Sequence, residues 1–382
     1  MIRTPVNSPG LPSRVEVVIL GAGIAGLSTA LRLVQAGREV LVLDRSRPWQ
    51  EGSAVNAGSL AIQNKRLDLL PFFREALEEW ARLPAELGAD VGHVRQGGVR
   101  VASSAEEAEA LRWSAAEQAK HGLEIEWLEG GDLRARVPWL GPSICCATFC
   151  RADGYASPLL AGPALMGAII AAGGRIAAPV HLQRTARAGN GFRLETDAGA
   201  IECRTVVLAA GPWSGGVARL FGIDLPIDEH VDMLTVTERI APFMDNLIVT
   251  HICGRLTLKQ FPNGACVLGG GWLGHGDTVS GRKDLDYDQL LQNLRLHTDV
   301  VPYLKKALAV RSWAGYEADT PDGWPIVGRA PNCPGLWMAI PAVAGFSGGP
   351  LIGRMAAEMI LTGKISPLAN GFAPERFSAV LS

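Results

Sequence analysis

Six residues, Gly21-Ala22-Gly23-Ile24-Ala25-Gly26, constrain this chain more than any other stretch. They read G-x-G-x-x-G and follow at once on residues 15–20 (VEVVIL), a β-branched apolar run of the kind that forms a strand buried on both faces. Residues 24–35 carry apolar side chains at helical spacing, and Gly37 is placed to end that helix. Residues 39–44 (EVLVLD) read as a second strand. Strand, glycine turn, helix and strand within about 30 residues make a nucleotide-binding βαβ unit.

Each glycine has a task in such a unit. Gly21 permits the tight turn, Gly23 lets the backbone approach a pyrophosphate, and Gly26 lets helix and strand pack closely. The helix start then offers free N–H groups and the positive end of its dipole to the phosphates. Asp44 closes the second strand, where a carboxylate accepts hydrogen bonds from a ribose 2′-hydroxyl and repels a 2′-phosphate. The ligand is therefore FAD or NAD rather than NADP.

A chain of 382 residues suits two domains. With a net charge of −2 and no basic block, nothing asks for nucleic acid. No apolar run approaches the roughly 18 residues of a membrane span. Residues 1–14 hold Pro5, Pro9, Gly10 and Pro12 without an apolar stretch and read as a leader, not a signal peptide. A cytoplasmic protein is expected, with peripheral membrane contact left open. The seven cysteines include no C-x-x-C pair, so no metal site is expected.

Residues 71–86 and 104–121 are predicted helices, and 91–101 and 124–128 predicted strands. Asp197-Ala198-Gly199 is predicted to turn a hairpin within 192–203, and Pro262-Asn263-Gly264 another between 256–260 and 266–268. Residues 205–210 (TVVLAA) form a further buried strand. The nucleotide unit thus departs into a mixed region and returns.

Four segments together resemble the FAD-dependent D-amino acid oxidase superfamily, in its branch of sarcosine oxidase beta subunits, glycine oxidases and heteromeric amino or imino acid dehydrogenases. They are the βαβ unit, the small-residue loop Gly52-Ser53-Ala54-Val55-Asn56-Ala57-Gly58-Ser59, residues 206–214 (VVLAAGPWS), and residues 320–328 (TPDGWPIVG) followed by Gly345-Phe346-Ser347-Gly348-Gly349 before a helix over 351–361. The resemblance implies an α/β fold in which a Rossmann-like FAD-binding domain (15–90, 153–225 and 320–382) interleaves with a mostly antiparallel α+β substrate domain (91–152 and 226–319). It implies FAD held by Gly21 to Gly26, Asp44 and Arg45, by Ser53, Asn56, Ala57, Gly58, Ser59 and Leu60, by Val180, by Ala210, Gly211 and Trp213, and by Gly345, Phe346, Ser347, Gly348 and Gly349.

The chain also departs from that family. Where glycine oxidases carry an Arg for the substrate carboxylate, residues 313–323 (WAGYEADTPDG) carry Glu317, which reverses the charge. The closing turn before the last helix is shorter by about five residues. Neither the Cys nor the His used for covalent flavin attachment is matched, so non-covalent FAD is expected. Val267 stands where sarcosine oxidases hold a Lys over the flavin, which points to a dehydrogenase passing electrons to a partner subunit or quinone. Tyr316 and Glu317, together with Arg255, Thr257 and Lys259 on one face of a strand over 255–260, are the candidate substrate residues.

Amine oxidation by flavin needs no nucleophile, so the lack of a Ser/His/Asp motif is in keeping. The function expected is oxidation of an amino or imino acid C–N bond: proline, hydroxyproline, N-alkyl amino acids or opines. A self-contained oxidase and a FAD-binding scaffold subunit are the alternatives.

Overall fold

The computed structural model describes residues 10–342 and 345–377. Residues 1–9 of the expected leader lie outside the described residues. Two eight-stranded sheets dominate.

The first sheet grows from the glycine turn. Arg14–Leu20 pairs in parallel with Val40–Leu43 on one side and Gly199–Leu208 on the other, so Val18 lies between Leu41 and Val206. Arg175–Ala177 extends one edge, and Leu336–Ile340 with Ile326–Arg329 the other. Val15 and residues 17–20 are buried, as a strand covered on both faces requires. The 192–203 hairpin forms as expected, Gly191–Thr196 pairing with Gly199–Leu208.

Ile24–Gln35 covers one face of this sheet, and ten of its twelve residues are buried. Gly37 ends it in a left-handed conformation at φ +76°. The last helix, Gly345–Thr362, packs directly on it. That approach depends on missing side chains. A Cβ at Gly26 would strike the Gly21 carbonyl, one at Gly349 would strike Ile24, and one at Gly353 would sit 2.6 Å from the Thr29 backbone nitrogen.

The second sheet is mostly antiparallel. Its order runs Ala309–Asp319, Asp228–Arg239, Ala265–Leu273, Thr257–Gln260, Ile248–His251, Gly98–Ala102, Cys146–Cys150, Glu126–Glu129. One face buries Val249, Leu258, Cys266 and Leu268 with Trp139 and Val300. The other face turns toward the small-residue loop: a Cβ at Gly269 would lie 3.9 Å from that of Ala57, and one at Gly315 would meet Val55.

Three expectations are corrected here. The strand over 91–101 shrinks to Gly98–Ala102, because Gly92 and Gly97 sit at φ +61° and +105° and break the pleat. The strand over 255–260 begins only at Thr257, since Gly254 turns at φ +79°. Residues 345–349 do not precede the last helix but form its first turns, where glycines permit the contact with Ile24.

Gly353→Val tests the helix contact. Overpacking against the Ser28–Thr29 backbone should lower unfolding free energy by about 1–3 kcal/mol, read as a fall in the denaturant midpoint with an unchanged slope.

Candidate functional site

A cavity of about 670 Å³ runs from the glycine turn to the facing wall of the second sheet. Small-molecule and cofactor sites fall at roughly 300–1,000 Å³. Its chemistry differs from end to end.

At the nucleotide end, Gly21 holds φ +113° and Gly23 opens the helix without a cap from its own side chain. The hydroxyl of Ser53 accepts from the Ile24 N–H at 2.9 Å, so the small-residue loop is tied to the helix start. Asp44 accepts from the Ala22 N–H at 2.8 Å and from the Ser46 N–H at 2.9 Å, and burial raises its pKa above the usual carboxylate range. Each oxygen keeps a lone pair for a ribose hydroxyl. Val180 donates its N–H to the Asp44 carbonyl and lines the same end. Arg45 stacks 3.9 Å from the centroid of Trp213, and Trp213 meets Tyr316 edge-on at 5.4 Å.

The middle is a floor for a flat ring. Gly58 has φ +70°, and a Cβ there would strike the Ala156 carbonyl and stand 2.9 Å from Pro158. The loop is pinned by the segment opposite: Leu60 N–H donates to the Gly154 carbonyl and Ala156 N–H to the Gly58 carbonyl, both at 2.9 Å. Below it the buried Asp153 accepts from Ile62 N–H at 2.6 Å and Gln63 Nε2 at 2.8 Å, while burial pushes its pKa up to about 6. Asn56 braces the loop through the Gly52 and Ser53 carbonyls. The Ser59 hydroxyl is buried and finds no protein partner among the described residues. Free N–H groups at a helix start, an acid at the ribose position, a flat glycine floor and an orphaned hydroxyl together fit FAD.

At the far end, cross-strand pairing brings together side chains distant in sequence. His230 lies opposite Glu317 and Asp232 opposite Gly315, so His230, Asp232 and Glu317 share one face. His230 Nε2 is 3.7 Å from Asp232 Oδ2 and 4.0 Å from Glu317 Oε2. The adjacent Asp232 carboxylate lifts the His230 pKa to about 8, against the opposing effect of burial and with help from Glu317 and Asp319. The ligating atoms of the trio lie within 4.8 Å of one another, the donor types of a divalent-metal or organic-cation site. Sequence reasoning missed His230 and Asp232. Their only signal is the i, i+2 spacing on a strand, which says nothing until the partner strand is known.

Most of the residues anticipated for cofactor and substrate line this cavity, including Gly21, Asp44, Gly58, Trp213, Phe346 and Glu317. Ala22, Gly26, Leu60, Gly348 and Gly349 do not. They act behind the wall, Ala22 by holding Asp44 and the glycines by admitting neighbouring atoms. Tyr316 lines the cavity, but its hydroxyl donates to the backbone carbonyls of Asp277 and Arg282. Of the trio placed on one strand face, Thr257 reaches the cavity. Arg255 is exposed in the preceding turn, 5.0 Å from the Trp272 ring. Lys259 is wholly buried, its Nζ has no hydrogen-bond partner among the described residues, and burial pushes its pKa down to about 7. The face expected to offer two cations therefore offers neither in ordinary charged form to this cavity.

The family described as DAO, FAD dependent oxidoreductase, matches residues 16–359. An opine oxidase subunit from Agrobacterium tumefaciens (strain Ach5) is 27% identical over 96% of this chain and 98% of its own length. Dimethylglycine dehydrogenase of Rattus norvegicus is 25% identical over 94% of this chain, which spans only 44% of that protein. Among solved structures, glycine oxidase from Geobacillus kaustophilus superposes with a TM-score of 0.88 at 22% identity, covering 96% of this chain and 99% of that one. L-proline dehydrogenase from P. horikoshii gives 0.87 at 24%, covering 97% and 100%. No helix among the described residues is long and apolar enough to cross a membrane.

The His230–Asp232 contact sets a testable pH dependence. The folded-state pKa is raised, so its contribution to stability is fully present below the unfolded value near 6.5 and is lost as pH rises through about 8. Following the His230 ring signals by NMR should give a midpoint near 8. Asp232→Asn should bring that midpoint down by about a unit or more, the size of a lost neighbouring opposite charge.

Proposed function

Because the chain belongs to the DAO family of FAD dependent oxidoreductases, we propose that it oxidises the C–N bond of an amino or imino acid bearing a second, cationic group, as the catalytic subunit of a heteromeric dehydrogenase. The observation that carries this reading is the acidic wall. His230, Asp232 and Glu317 meet where the resemblance calls for an Arg, so the far end of the cavity favours an ammonium or guanidinium over a carboxylate. An opine-type substrate built on a basic amino acid has such a group. One relative is named as a subunit of an opine oxidase, which supports both the substrate class and the need for a partner subunit.

FAD bound in this cleft supplies acceptance of a hydride from the carbon alpha to nitrogen. The chain's own residues position and polarise. The flat floor at Ala57 and Gly58 orients the ring plane. The start of the Gly345–Thr362 helix faces it with a positive dipole end that favours negative charge on the reduced ring. The trio holds the cation of the substrate, and His230 has a pKa suited to sharing a proton with the amine near neutral pH.

One observation favours the second reading, a self-contained oxidase. Lys259 pairs directly with Val267 across the strands, so a buried amine stands beside the position where sarcosine oxidases carry their Lys.

Anaerobic mixing with a panel of amino acids, imino acids and opines should bleach the flavin most with substrates carrying a basic side chain. Glu317→Gln should raise KM for those substrates about 10- to 100-fold, the size of a lost charge-assisted bond. Slow reoxidation of the bleached enzyme by air is expected of a dehydrogenase, and fast reoxidation with peroxide release would establish the oxidase. Acid precipitation should leave the yellow colour in the supernatant, whereas a yellow pellet would show a covalent link.

A further inference from the structure

The acidic wall leaves the carboxylate of an amino acid substrate without an anchor, and Arg255 and Lys259 do not provide one. His230 is already engaged by Asp232 and Glu317, and the Arg and Lys side chains that line the cavity can be sorted in the same way. Arg45 is stacked on Trp213, and Arg47 is exposed to solvent at the rim of the nucleotide end. Arg66 is ion-paired with Asp68 at 2.6 Å and donates to the Asp322 carbonyl at 2.5 Å. Lys65 is different. Its N–H donates to the Ile62 carbonyl, which fixes the turn that follows the flat floor, and its Nζ lies 4.8 Å from the centroid of Phe73.

Among the described residues no carboxylate stands within ion-pair distance of the Lys65 ammonium, although the fields of Glu317 and Asp153 reach it. Burial, opposed in part by those two acids, leaves its pKa lowered to about 8, so it is still mostly protonated at neutral pH. The side chain is half-buried and lines the cavity. A desolvated ammonium facing a cavity with no counter-ion is a site that an anion completes.

We propose that Lys65 binds the carboxylate of the substrate, replacing from the loop after the flavin floor the cation that Glu317 displaces from the opposite sheet. This deepens the substrate class proposed above and rests on it. The cavity then offers an ammonium for the carboxylate and an acidic trio for the cationic end. A substrate bearing both charges is held at two points, with its C–N bond between them and over the floor at Gly58.

The test is a titration of the FAD-loaded enzyme with furan-2-carboxylate and with furan-2-carboxamide, followed by perturbation of the flavin absorbance. Wild type should bind the acid more tightly than the amide. Lys65→Met should weaken the acid about 10- to 100-fold and leave the amide unchanged. Lys65→Arg should restore most of the preference, and flavin content should be equal in all three. With a substrate found by the bleaching panel, Lys65→Met should raise KM far more than it lowers kcat. Equal titration of wild type and Lys65→Met, equal loss for acid and amide, or a wild type that does not prefer the acid would each overturn the assignment. If no amine bleaches the flavin but the acid titration keeps its dependence on Lys65, the proposed substrate class falls and the anchor stands. The converse result removes the anchor alone.

Discussion

The structure depends on how closely the first helix is allowed to approach its neighbours. Gly26 lets Ile24–Gln35 settle against the Gly21 carbonyl, and Gly349 and Gly353 let the last helix settle on Ile24, Ser28 and Thr29. Close packing of this kind forfeits its dispersion energy with even a single added methyl group. It also fixes the direction of the helix start, whose N–H groups lack intrahelical partners and need an anion or a capping oxygen. Ser53 supplies one such oxygen. The dinucleotide phosphates are the natural complement for the rest.

From that fixed point the cavity is built by pinning two sheets to one loop. The segment 153–156 holds the floor from below, through the buried Asp153 and the backbone of Gly154 and Ala156. Gly315 and Gly269 admit Val55 and Ala57 from above. A buried carboxylate such as Asp153 is tolerated because Ile62 and Gln63 donate to it, and half-satisfying it would cost more than omitting it. The floor is therefore positioned by hydrogen bonds from residues about 90 positions away.

The wall over that floor carries charges of both signs. Carboxylates and a histidine of raised pKa stand at one point, and a lysine with no ion pair among the described residues stands at another. Each charge is costly to keep desolvated alone. A ligand with opposite charges at matching separation relieves both, which gives discrimination as well as affinity.

How much of this was legible beforehand follows from the range of the interactions involved. The glycine turn, the first helix with both its ends, the Asn-Gly hairpin and the acid at the ribose position are written in short stretches, because turn chemistry, helical periodicity and caps act over a few residues. Glu317 was visible as a charge reversal against a known pattern. By contrast, His230 and Asp232 join Glu317 only through the pairing of Asp228–Arg239 with Ala309–Asp319, two strands far apart in the chain. The fate of Lys259 and Lys65 was hidden for the same reason. Whether a lysine ends sealed in a core with its charge suppressed, or faces a cavity as a cation, is decided by desolvation, and desolvation is a property of what folds around it. Local chemistry in the sequence determined that this chain grips a dinucleotide, and its likeness to a family that the dinucleotide is FAD; the three-dimensional packing alone decided which charges meet whatever the flavin is to oxidise.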